Sequence, residues 1–110
     1  TLRYPVLNDN KIYLLLLIAS NSCECTVEKG EEAKSILEDI NRGFELNLKI
    51  DVFDFAEEED LVENYVDYFD VTYLPALLFF SEKGVLERKL EFDISREDVL
   101  TIIRNINSRG

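Results

Sequence analysis

With 110 residues, 46% of them hydrophobic, the chain suits one domain with an ordinary core and is too apolar to be disordered. Its net charge of −11 at pH 7 argues against nucleic acid or an anionic membrane surface as partner, because both require basic surface; the acidity reads as solubility. The lack of histidine removes Ser-His and Cys-His catalysis and His-ligated metal sites. Two cysteines are too few for a secreted disulfide framework, so a cytoplasmic setting is the default expectation. No signal peptide or membrane span is expected within the chain shown, and its start at Thr1 without Met leaves room for a removed upstream segment.

In residues 1–10, Pro5 bars a central strand and Asn8-Asp9-Asn10 is turn chemistry, which predicts an edge strand or a packed arm. The run from about Lys11 to Ala19 is almost wholly apolar. It is too short to span a bilayer and predicts a strand buried on both faces at the centre of a sheet. Directly after it come Ser20-Asn21-Ser22-Cys23-Glu24-Cys25, which hold the only two cysteines, where strand gives way to helix. In open α/β sheets that edge gathers ligands and chemistry. Free cysteines are often small buried apolar residues. Two of them one residue apart, among Ser, Asn, Glu and Thr, point instead to redox or metal chemistry.

A helix is expected from about Val27 to Arg42, with Ala33, Ile36, Leu37, Ile40 and Phe44 as its apolar stripe, Gly30 weakening its opening and Gly43 ending it. Residues 46–53 alternate and predict a strand with one apolar face. The acidic helix from about Glu57 to Phe69 buries Leu61, Val62, Tyr65, Tyr68 and Phe69. Its opening acids, Glu57 to Asp60, read as dipole-favoured surface rather than a metal site. After residues 70–75 a strand spans Ala76 to Phe80, a turn Ser81 to Gly84, and a second strand Val85 to Phe92, forming an antiparallel hairpin. Ser95 caps a last helix buried through Val99, Leu100, Ile102, Ile103 and Ile106, and residues 107–110 are expected as a frayed tail. The result is a single α/β domain over 1–110 in the order β-α-β-α-β-β-α. Its mixed sheet of four or five strands has helices on both faces, and the first three strands are parallel where adjacent.

Over roughly residues 11 to 107 this pattern resembles the thioredoxin family. The resemblance is carried by the buried strand ending in Ala19-Ser20-Asn21-Ser22-Cys23-Glu24-Cys25, by Phe69 to Phe80 around Leu74-Pro75-Ala76, and by the turn Ser81 to Val85 with its closing helix. It implies a thioredoxin-like fold, a cis Pro75 facing the cysteines, and a substrate groove rimmed by Asn21, Ser22, Tyr73 and Leu74 that pairs with an extended segment. The cysteine turn departs from the family, with Cys-x-Cys in place of Cys-x-x-Cys. An ungapped match puts Ser22 and Cys25 on the two cysteine positions, Asn21 on the aromatic before them, and Leu16 near the buried acid.

Exchange chemistry needs a thiolate: a thiol of pKa 8.5 is only about 3% ionised at pH 7, one near 7 about half. The helix N-terminus lowers the value, whereas Glu24, Glu28 and the overall charge raise it. Residues i and i+2 of a helix point apart, so a strained, reversible Cys23–Cys25 disulfide requires a non-helical turn. The resemblance therefore implies a thiol–disulfide oxidoreductase acting on protein or peptide disulfides, with Cys23 attacking and Cys25 resolving, or the reverse. No organic cofactor is implied; a reductase or small thiol supplies electrons. Two alternatives stand beside it: a redox-inactive binding module of the same fold, and a thiolate metal site completed by a partner.

Overall fold

The computed structural model describes residues 12–43 and 48–109; the arm expected at 1–10 lies outside them, as do Phe44 and Leu46. Seven elements follow in the order β1 (Ile12–Ile18), α1 (Glu24–Gly43), β2 (Leu48–Asp54), α2 (Glu59–Tyr68), β3 (Ala76–Phe80), β4 (Leu86–Glu91) and α3 (Arg96–Arg109). They form a four-stranded sheet ordered β2-β1-β3-β4.

β1 is central, and all seven of its residues are buried. Successive side chains of a strand point to opposite faces, so this one apolar run builds two cores. Leu14, Leu16 and Ile18 pack with Leu37 and Ile40 of α1 and with Val99, Ile102 and Ile103 of α3. Tyr13, Leu15 and Leu17 pack with Val62, Tyr65 and Phe69 on the α2 side. Each fully buried leucine contributes about 2 kcal/mol.

β1 runs parallel to β2, with Ile18 opposite Asp54. It runs antiparallel to β3, with Leu17 opposite Ala76, which corrects the expectation that the first three strands are parallel. The cause is the segment after α2. That helix descends until the Phe69 ring meets Phe80 at the far end of β3. Residues 70–75 then climb back along β4. Lys89 Nζ donates to the carbonyls of Phe69 and Asp70, and Glu91 Oε1 accepts from the amides of Thr72 and Tyr73, each at 3.1 Å. Six residues of extended chain cover roughly 20 Å, which matches the height of the sheet, so β3 starts from the end where β2 finished.

Smaller differences have local causes. α1 begins three residues before Val27, because Gly30 packs into it rather than breaking it: a Cβ there would lie 3.3 Å from Ile18 Cγ2. The alternation in β2 does not give one covered face; Val52 is 40% exposed while Phe53, on the other face, stacks on Tyr65 at 6.1 Å. α3 runs to Arg109, through residues expected as tail, and Ser95 Oγ accepts the Asp98 amide at 3.1 Å as its cap. No helix among the described residues is long and apolar enough to cross a membrane.

Candidate functional site: a thiol at the start of α1

The register brings the two sequence landmarks to one end of the sheet. Leu17 pairs with Ala76, so the turn leaving β1 and the segment entering β3 emerge side by side. On the other flank, the chain leaving β2 is tied to the same turn: the Phe55 amide donates to Ile18 O at 2.8 Å. Asp54 fastens this corner, its Oδ1 accepting the Ser20 amide at 2.9 Å and the Ala56 amide at 3.0 Å. Burial pushes the Asp54 carboxyl up, but these hydrogen bonds, with Lys34 nearby, outweigh it and hold the group below its ordinary value. Ser22 closes the turn by donating its amide to Ala19 O at 3.3 Å.

Cys23 is the residue immediately before α1. Its carbonyl accepts the Val27 amide at 3.0 Å, the first bond of the helix, so it stands where a capping side chain stands. Its Sγ lies 3.3 Å from Thr26 Oγ1. The Thr26 hydroxyl, then the Thr26 amide, lower the Cys23 thiol from its ordinary value; Ser22 and the Cys25 amide add to this, and burial opposes it. These donors all stabilise the thiolate, and the positive end of the helix dipole acts in the same sense.

Cys25 lies inside the first helical turn, and both cysteines are exposed free thiols. The non-helical turn required for a Cys23–Cys25 disulfide is therefore not formed. Lys29, one turn further on, faces Asp93 at 2.9 Å, and its own charge is favoured first by that contact, then by Glu32 and by Cys25.

The remaining predicted residues divide. Asn21 and Ser22 are exposed beside Cys23; Tyr73 is 64% exposed, Leu74 half-buried and Pro75 buried. The Leu74–Pro75 bond is cis, and Pro75 O accepts the Phe92 amide at 2.7 Å. Sequence reasoning missed Thr26, whose signal was its place three residues after Cys23. It also missed Lys89 and Glu91, which carry no pattern because they act on backbone far away in sequence. The only group of three potential metal-ligating side chains among the described residues is Glu59, Asp60 and Glu63, all exposed at the start of α2.

No protein-family model matches the chain, and no curated protein matches it. Solved structures do. A mutant thioredoxin from Halobacterium salinarum NRC-1 is 13% identical, with a TM-score of 0.68 over 89% of this chain and 76% of that one. Thioredoxin O2 from Arabidopsis thaliana, in its oxidized state, is 12% identical, with a TM-score of 0.66 over 88% and 76%. A reduced Schistosoma mansoni thioredoxin pre-protein is also 12% identical, at 0.66 over 90% and 82%. At such low identity the likeness speaks for architecture, and it agrees with the sheet order and helix placement: the chain has a thioredoxin-like fold.

Proposed function

We propose that the protein is a thiol–disulfide oxidoreductase in which Cys23 is the attacking thiol. One observation carries this: an exposed sulfur occupies the cap position of α1, hydrogen-bonded to Thr26 and lowered in pKa, at the end of the central strand. The Cys23 thiolate attacks one sulfur of a protein or peptide disulfide. A Cys23–substrate mixed disulfide forms, and the other substrate sulfur leaves as a thiolate. A second thiolate then attacks the Cys23 sulfur of the mixed disulfide, so the substrate sulfur leaves as a thiolate and Cys23 is left in a disulfide with the attacking thiol. Cys25 is the intramolecular candidate for that second thiol. It reaches Cys23 only when the first turn of α1 opens, since the two positions project from different sides of a helix. An external small thiol or a reductase does the same without that opening.

Asn21, Ser22, Tyr73, Leu74 and Pro75 form the substrate rim in this scheme. Electrons come from the thiol that discharges the enzyme, and no organic cofactor takes part. The test is to treat the reduced protein with a disulfide-bonded peptide and locate the adduct by mass spectrometry in Cys25→Ser and Cys23→Ser. An adduct on Cys23 that dithiothreitol reverses supports the assignment. Two thiols that stay free and slow would replace it with the redox-inactive binding module, and stoichiometric metal on both would replace it with the shared thiolate site.

A further inference from the structure

A groove of about 340 Å³ opens between α2 and the segment entering β3, with Phe55, Val66, Val71 and Leu74 as its apolar lining and Glu63 and Asp67 among its walls. Two of its lining residues adjoin the thiol corner. Phe55 is bonded to Ile18, and Leu74 precedes the Pro75-Ala76 step that pairs beside Leu17. Glu63 and Asp67 stand four residues apart on α2 and so share one face of it. Both are exposed, and neither forms an ion pair among the described residues.

We propose that this groove docks a basic polypeptide segment flanking the disulfide that Cys23 attacks, with Glu63 and Asp67 as its specificity-determining residues. The inference rests on the exchange chemistry above and adds to it a substrate class. An apolar floor beside two unpaired carboxylates suits a chain that places a Leu- or Phe-like side chain next to Lys or Arg. An acidic segment meets like charge there, in the field of a protein of net charge −11. The surface acidity, read from sequence as solubility alone, thereby acquires a local task at one wall of one groove.

The test uses two short fluorescent peptides with serine at the cysteine position, one with Leu and Lys as neighbours and one with Leu and Glu. Their binding to the full chain is read by anisotropy at low salt. The basic peptide binds about tenfold tighter or more, and the difference shrinks as salt is added. The double variant Glu63→Gln, Asp67→Gln loses most of that preference. A control of equal charge, Glu38→Gln with Glu97→Gln on α1 and α3, keeps it. Equal binding of the two peptides overturns the proposal, as does a preference that survives in the groove variant or falls equally in the control. Neither peptide contains a thiol, so these outcomes are independent of Cys23. Reaction of the wild type with a neutral aromatic disulfide reports on the exchange chemistry separately, and its failure would leave the groove as a peptide site without redox chemistry.

Discussion

Cys23 and Cys25 are separated by one residue and both open to solvent, yet they stand on opposite sides of a boundary. Cys23 lies outside the helix and receives the hydrogen bonds of its first turn; Cys25 lies inside that turn and contributes one of the amides. The difference teaches that the setting of each thiol here depends on its place relative to the first turn of α1: the Thr26 hydroxyl first, then the Thr26 amide, lower the Cys23 thiol from outside the helix, a position Cys25 does not occupy. The Cys-x-Cys pattern thus behaves as one capped thiol with a neighbour, rather than as a closed pair.

The largest expected contrast comes from removing each sulfur in turn. Cys23→Ser lowers the rate with a neutral aromatic disulfide at pH 7 by about a hundredfold or more, while Cys25→Ser leaves the attack step within a few-fold of wild type. Similar losses in both variants would erase the distinction. Next is the seat of the helix. Gly30→Leu forces side-chain atoms into Ile18, where even a Cβ already sits at 3.3 Å, and costs about 1–3 kcal/mol as a shift in urea midpoint. Gly30→Ala stays near neutral, because the close contact is offset by about 1 kcal/mol of helix propensity.

Asp54→Ala removes the carboxylate that gathers the Ser20 and Ala56 amides and costs about 1 kcal/mol in the same measurement. Because that carboxyl is held below its ordinary value, its contribution is full above the unfolded value near 3.8 and is lost as pH falls through the folded one. Thr26→Val raises the Cys23 pKa. The thiolate fraction below that pKa falls while each remaining thiolate becomes more nucleophilic, so the rate near pH 6 falls only by about threefold. Thr26→Ser restores the pH profile, whereas a purely structural role for Thr26 would leave the profile where it was. The smallest effect is on stability. The unfolded thiol holds its proton up to about 9.0, so between the lowered folded value and that pH the unfolded chain binds more protons. Wild type therefore gains stability over Cys23→Ser as pH rises through that window, measured as urea midpoints across it.

Much of the architecture was legible because it rests on local signals. The apolar run of β1, the stripe Ala33, Leu37, Ile40 and the Ser95 cap are each confined to a few neighbouring residues, and all fall where the pattern puts them. The direction of β3 was not, because nothing in Ala76–Phe80 distinguishes a strand entered from above from one entered from below. That choice is made by residues 70–75 and the β4 side chains that hold them. At the site, the cysteines were legible as chemistry, but their inequality was not. It depends on where α1 starts, and the buried Gly30, which weakens a helix in isolation, here lets the helix seat closely against Ile18. The acids Glu63 and Asp67 carry no pattern of their own in the sequence, and only the fold sets Phe55 and Leu74 in the same groove with them.

Lys89 and Glu91 grip only main-chain atoms of the segment that leads into β3. Such a grip is blind to the identity of Thr72 and Tyr73, whose side chains remain exposed. Those two positions can therefore be exchanged with the path of the strap unaltered; replacing either of its charged holders would disturb that path whatever the strap displays.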